Sequence, residues 1–285
     1  MSDLDLYKQI ITDTIGKPDF KQLIIKLCNE NKLSPKKSKL LYAYKNLLSE
    51  NSLSIDLDMN NYLKRKIRKG LNGITSVTVL TSPYPEVDGV KKEFSCKYNC
   101  HMCPSEPDMP KSYLKREPAV LRGDRNNWDP ILQFNERLQT LNRNGHDGNK
   151  IELLILGGTW DSHDIRYRED FIHKLFYAAN TYYHTEKRHI QSFDNEKLFN
   201  EDAMIRLIGI TIETRPDQIN KKSIRHYRKC GVTRVQLGVQ HIDDTILKKI
   251  NRMCYHKSTI LADRRLKDCC FKDDFHIMLD LPGSS

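Results

Sequence analysis

Three cysteines, Cys96, Cys100 and Cys103, stand in the eight residues "CKYNCHMC" with C-x3-C-x2-C spacing. Thiolates at this spacing are metal ligands before they are anything else. A structural zinc site takes four Cys or His ligands, and this cluster offers three. His101 cannot easily reach a metal that its neighbour Cys100 already holds. A zinc completed by a remote histidine therefore stays open as one chemistry. The other is an iron–sulfur cluster, on which three thiolates leave one iron free for a substrate or cofactor. Ligand count favours the cluster.

Other polar residues fall at the ends of apolar runs. Gly157, Gly158 and Thr159 close "KIELLILGGT", Glu213 and Arg215 close "GITIETR", and Gln240 closes "TRVQLGVQ". Lys150 opens the first of these runs. Each run has the length and β-branched content of a strand. Five strands are expected at 74–80, 150–158, 206–217, 233–240 and 274–282. Helices are expected at 129–145, 168–183, 219–231, 243–252 and 257–270, between the strands. This alternation predicts an α/β fold with a parallel sheet, in which the C-terminal strand ends carry the chemistry. The cysteine loop follows the first strand, so all the polar groups are expected on one rim. Five strands are too few to close an eight-stranded barrel. The expectation is a partial parallel (βα) barrel that stops after its fifth strand, over residues 71–285, preceded by a small helical domain at 1–70.

That first segment has helical periodicity, with Phe20, Ile24, Leu27 and Cys28 on one stripe. Ser34 is a candidate N-cap, with Pro35 at the first helical position. Residues 1–70 hold 14 Lys/Arg against 8 Asp/Glu, a surplus of six within a chain of net charge +10. A basic segment suits a polyanion such as RNA. Lys64, Arg65, Lys66, Arg68 and Lys69 are the candidate phosphate contacts, and Tyr113, Lys115 and Arg116 are further candidates for touching RNA. No apolar run reaches membrane-spanning length. The N-terminus lacks a secretory hydrophobic region, so a cytoplasmic protein with reduced thiols is expected. Cys230, Cys254, Cys269 and Cys270 have no ligand spacing and are read as packing or surface thiols.

The cysteine motif after a first strand, with a Gly-Gly-Thr turn after the second, resembles the signature of radical S-adenosylmethionine (SAM) enzymes. A narrower set, "GITSVTVLTSPYP", "CPSEPDMPKSYLKREPAV", "NNWDPILQFNERLQTLNRNGH", "KIELLILGGTW", "GITIETRPD", "GVTRVQLGVQ" and "MLDLP", resembles the catalytic subunit of Elongator from about residue 66 onward. The resemblance implies a radical SAM core of the (βα) barrel type. In it Cys96, Cys100 and Cys103 hold a 4Fe-4S cluster whose open iron chelates SAM, and one-electron cleavage gives a 5′-deoxyadenosyl radical. It implies a contact to the methionine amine of SAM at Gly157, Gly158 and Thr159, and an acetyl-CoA contact at Lys150. Glu213 and Arg215 either pair on the rim or join the cofactor site, where Glu213 accepts from the SAM ribose hydroxyls and Arg215 holds a carboxylate bidentately. Gln240 is either a satisfied polar group of the barrel or a SAM contact. The implied function is carboxymethyl-type modification at C5 of the wobble uridine in a tRNA anticodon stem-loop, with acetyl-CoA as donor. Implied partners are tRNA, other Elongator-type subunits or a separate acetyltransferase domain. The sequence departs from the family in its compact cysteine spacing and in Met102, where an aromatic residue is usual. It also ends at "DLPGSS", before the remaining barrel and the acetyltransferase domain. Two other readings stand beside this one: a non-catalytic tRNA-binding homologue and a zinc-stapled RNA-binding protein.

Overall fold

A computed structural model describes residues 2–64, 72–146 and 148–284. Two compact units are present, Met1–Thr75 with Leu138–Asn149, and Ser76–Arg137 with Lys150–Ser285. The helical unit thus takes in a later piece of chain, 138–149, which a division at residue 70 does not anticipate.

The helical unit contains α1 (Asp3–Thr14), α2 (Phe20–Glu30), α3 (Lys37–Ser49) and α4 (Leu57–Leu63). Ser2 caps α1: its hydroxyl accepts from the Asp5 amide, and the Asp5 carboxylate accepts from the Ser2 amide. These reciprocal bonds satisfy donors that a helix start leaves open. Asp56 caps α4 by accepting from the Met59 amide. Residues at i, i+3 and i+4 spacing then bury one shared core, including Tyr7, Ile11, Ile24, Leu40, Tyr44 and Met59. The expected stripe of α2 is buried at Phe20, Ile24 and Cys28, with Leu27 at its margin. The start of α3 differs from expectation. Its N-cap is Lys36, and Pro35 lies outside the helix. The Ser34 carbonyl is taken by the Tyr7 hydroxyl at 2.7 Å and by the Lys36 amide, which holds the Ser-Pro pair in a turn.

The second unit carries a five-stranded sheet of β1 (Thr75–Leu80), β4 (Lys150–Leu156), β5 (Arg206–Thr214), β6 (Arg234–Gln240) and β7 (Lys272–Ile277), in that spatial order. A short hairpin, β2 (Glu86–Val87) with β3 (Val90–Lys91), follows β1. β4, β5, β6 and β7 pair in parallel. Spatial order follows chain order, as in the wall of a barrel; a doubly wound sheet would reverse it. The intervening helices are α5 (Pro118–Arg125), α6 (Pro130–Arg143), α7 (Ile165–Thr181), α8 (Phe193–Glu201), α9 (Lys221–Lys229), α10 (Asp244–Lys249) and α11 (His256–Asp268). Ile151, Leu153 and Ile155 alternate into the core from β4, while Ile210, Thr211 and Ile212 of β5 are buried on both faces, as befits a central strand.

β7 ends five residues sooner than expected, and Asp280 lies beyond it in an exposed bend. Its partner β6 stops at Gln240, whose φ of +73° turns the chain away after a register shift between Gly238 and Gln240. One further backbone bond, from the Met278 amide to the Gln240 carbonyl, closes the pairing. Helices α5 and α8 and the hairpin were not expected. The Pro118 N-terminal position of α5 and the Ser192 cap of α8 were the available signals. No helix among the described residues is long and apolar enough to cross a membrane.

Candidate functional site

The C-terminal ends of the strands surround a cavity of about 270 Å3, lined in part by all three motif cysteines. Their loop lies between β1 and α5. It is tied down by the His101 amide, which donates to the Ile250 carbonyl at 2.9 Å, and by the Asn251 side chain, which donates to the Asn99 carbonyl at 2.8 Å. A turn from the Cys100 carbonyl to the Cys103 amide brings those two cysteines to one side. Each sulfur has a different neighbour. Cys96 Sγ is 3.5 Å from the Thr159 hydroxyl, and Cys103 Sγ is 2.8 Å from the Ser112 hydroxyl. Cys100 Sγ accepts from Arg252 Nη1 at 3.7 Å and from Arg215 Nη1 at 3.9 Å. Cys100 is buried; burial also pushes the Cys103 thiol up from its ordinary pKa, against the Ser112 hydrogen bond.

The turn after β4 requires its glycines. A Cβ on Gly157 would lie 2.0 Å from Thr81 Oγ1, and one on Gly158 would lie 3.2 Å from the Phe94 ring and 3.3 Å from the Lys111 carbonyl. Both also have left-handed φ, +131° and +96°. Asp161 fixes the far side of this turn. Its carboxylate accepts from Arg168 Nη1 and from the Thr214 hydroxyl, each at 2.7 Å, and from the Tyr227 hydroxyl. His163 is buried beside Phe94 and shares a hydrogen bond with Thr81 Oγ1 at 3.1 Å. Burial, reinforced by Arg168, lowers its pKa to about 3, so its ring is neutral.

Glu213, at the end of β5, accepts a hydrogen bond from the Tyr113 hydroxyl at 2.7 Å and faces His276 Nδ1 at 3.6 Å. Burial first, and then the Glu213 charge, hold the Tyr113 phenol far above its ordinary range. The facing Glu213 carboxylate raises the pKa of His276 and favours its charged form. Arg215 is fully buried, and its fork grips Asp217 through Nε at 2.9 Å and Nη2 at 3.1 Å. The carboxylate it holds bidentately is therefore one within the chain.

Of the residues expected at the site, Cys96, Cys100, Cys103, Gly158, Thr159, Glu213, Arg215 and Gln240 line this cavity, and Gly157 forms the adjoining turn. Lys150 does not. It is exposed at the opposite end of β4, in register with Arg206, and about 20 Å of strand separate it from Leu156. Lys64 ends α4, and its stem lies over Gly145. Arg65, Lys66, Arg68 and Lys69 lie outside the described residues. Tyr113 points to Glu213, whereas Lys115 and Arg116 are exposed. Sequence reasoning missed Arg252, His276 and Ser112. His276 sits near the C-terminal end of an expected strand, where site residues gather, which was a usable signal; Arg252 follows a short helix and carried none.

Comparison with known proteins agrees with this geometry. Residues 94–284 match the radical SAM superfamily. The tRNA uridine(34) acetyltransferase of Methanocaldococcus infernus is 38% identical over 228 residues, covering 78% of this chain and 40% of that protein. Human Elongator complex protein 3 is 32% identical over 228 residues, with the same shares covered. The solved structure of the archaeal Methanocaldococcus infernus Elp3 with an N-terminal deletion (1-46) superposes with a TM-score of 0.57 at 33% identity, covering 75% of this chain and 39% of that one. This chain therefore spans about two fifths of the length of the curated relatives it matches. The match embraces the cysteine loop and every strand from β4 to β7, and on that basis the chain belongs to the radical SAM superfamily.

Proposed function

We propose that this chain is the radical SAM portion of an Elongator-type enzyme that modifies C5 of the wobble uridine in tRNA toward carboxymethyl products, with acetyl-CoA as donor. The observation that carries the reading is the meeting of Cys96, Cys100 and Cys103 with the Gly157–Thr159 turn around one cavity at the strand ends. The donor set fits a 4Fe-4S cluster. It offers three thiols, each with its own polar neighbour, and two buried guanidinium groups at Cys100 to offset thiolate charge. Among the described residues no three Cys, His, Asp or Glu side chains are gathered as ligands of a single ion. Thiols taking separate irons of one cluster need no such convergence.

Cys96, Cys100 and Cys103 would hold the cluster. Gly157, Gly158, Thr159 and Gln240 would meet the polar groups of SAM, and Glu213, steadied by Tyr113 and His276, would accept from its ribose hydroxyls. Once bound, the cluster and SAM supply a carbon-centred radical. The chain's own part is to orient these groups, to keep the Cys100 side dry and to receive the base. A wobble base is unpaired in its loop and is splayed into a pocket at modest cost. Acetyl-CoA enters this reading from the relatives, and Lys150 stands too far from the cavity to join its contacts there. The basic run that includes Lys64 is the proposed tRNA contact, with a surplus of positive charge around it.

The test is anaerobic reconstitution, counting of iron and sulfide, and then incubation with reductant, SAM, acetyl-CoA and tRNA. About four irons per chain and formation of 5′-deoxyadenosine that depends on all three cysteines are expected. One zinc per chain with no deoxyadenosine would overturn the reading.

A further inference from the structure

The three sulfurs of the motif are not equivalent. Cys96 faces the neutral Thr159 hydroxyl, and Cys103 faces the Ser112 hydroxyl and the Pro104 carbonyl, with the Lys111 ammonium acting on it from farther off. Cys100 faces two cations, and both are buried. The two cations differ in turn. Arg215 is neutralised by the bidentate grip of Asp217, and its Nη2 also donates to the Arg252 carbonyl at 2.9 Å. Arg252 has no carboxylate partner among the described residues. Its Nη2 donates to the Gly238 carbonyl, its Nη1 to Cys100, and its Nε is buried with no partner. An uncompensated guanidinium thus lies 3.7 Å from one sulfur in a site sheltered from water.

Such a charge is expensive to bury unless something negative answers it. Cys100, whose Sγ accepts from Nη1, can answer it as a thiolate, together with whatever that thiolate ligates; Cys254 also feels Arg252, but burial raises its pKa away from thiolate. A nearby positive charge stabilises the reduced, more negative form of an iron–sulfur cluster more than the oxidised form, and N–H···S bonds act in the same direction. Arg215 with Asp217 is close to a neutral pair and has a weaker effect at the same distance.

We infer that Arg252 sets the reduction potential of the cluster by holding an unbalanced positive charge on its Cys100 corner. Arg252 acts through Cys100 and is a positioning residue. The inference rests on the proposal that the three cysteines hold a 4Fe-4S cluster. The step concerned is the entry of one electron from a low-potential one-electron donor; it moves no proton and breaks no bond.

The experiment uses the whole reconstituted chain without SAM. Iron and sulfide are counted, and the midpoint potential is measured by a titration with titanium(III) citrate followed by electron paramagnetic resonance. R252Q should retain iron and titrate at a more negative potential. At the wild-type midpoint its reduced-to-oxidised ratio should fall at least about tenfold, which for one electron is about 59 mV. R252K, which keeps a point charge, should return most of that shift. D217N unmasks Arg215 and should move the potential the other way. An iron-replete R252Q with the wild-type potential overturns the inference. If R252Q loads no iron, D217N decides: a more positive potential supports the inference, and an unmoved or more negative one overturns it. A wild-type chain that takes no iron at all fails at the earlier proposal, and this inference falls with it.

Discussion

The Asp161 carboxylate accepts the Thr214 hydroxyl at 2.7 Å, and so joins the turn after β4 to the last residue of β5. The same carboxylate accepts from Arg168 and from Tyr227 of α9. The turn and the strand end that border the cavity are therefore tied, with α7 and α9 behind them, to one buried charge.

Asp161→Asn should be costly. The pair with Arg168 is almost fully enclosed, with side-chain exposures of 7% and 11%. Removing one partner leaves a buried guanidinium without its counter-charge, at a cost of about 3 kcal/mol. Denaturant unfolding should report a lower midpoint with an unchanged slope. A loss under about 0.5 kcal/mol would show that Arg168 finds another partner and that the network is not what fixes the turn.

Gly157→Ala should lose stability for two separable reasons. One is the overlap of a new Cβ with Thr81 Oγ1, and the other is the left-handed φ of +131°. Backbone strain of this kind costs on the order of 1–3 kcal/mol. A double-mutant cycle with Thr81→Ala separates the terms. The second substitution should relieve only the overlap. Full recovery in the double variant would mean that φ imposes no cost here.

His163 predicts an acid limit. Its buried ring is held near a pKa of about 3, against an ordinary 6.5, chiefly by burial. The unfolded chain therefore binds this proton more readily than the folded one. The stability contribution is complete above pH 6.5 and is lost as pH falls from there toward 3. By pH 5.5 the loss should reach roughly 1 kcal/mol. His163→Phe should flatten this part of the stability–pH curve, whatever its constant cost. An unaltered slope in the variant would show that His163 is not the titrating group.

Single Cys→Ala changes at 96, 100 and 103 should each sharply reduce reconstituted iron, because each thiolate serves its own iron. Cys230→Ala and Cys254→Ala should load normally; both thiols are buried, and burial raises the pKa of each away from thiolate. Iron counts distinguish the two groups directly. A Cys254 variant that loads no iron while folding normally would put Cys254 in the ligand set.

The cysteine spacing, the Gly-Gly-Thr turn and the βα alternation were legible because their periods span only a few residues. Such patterns report local geometry: a stripe on a helix, alternation on a strand, a turn that tolerates no Cβ. Strand existence was therefore readable, while the end of β7 was not, since it depends on where Gln240 turns β6 away. The same limit applies to the site. Arg252 stands 152 residues from Cys100, and His276 meets Glu213 across two strands. Tyr113, expected at RNA, is drawn to Glu213, and Lys150, expected at a cofactor, is left at the far end of β4. No local pattern encodes these relations. The sequence by itself determined which residues could ligate metal and where the five sheet strands and most of the helices between them would fall; α5, α8 and the short hairpin escaped it. The tertiary structure alone decided which side chains share the cavity. Parallel strands linked by helical crossovers bring their C-terminal ends together from positions far apart in the chain, and only that closure sets who meets whom.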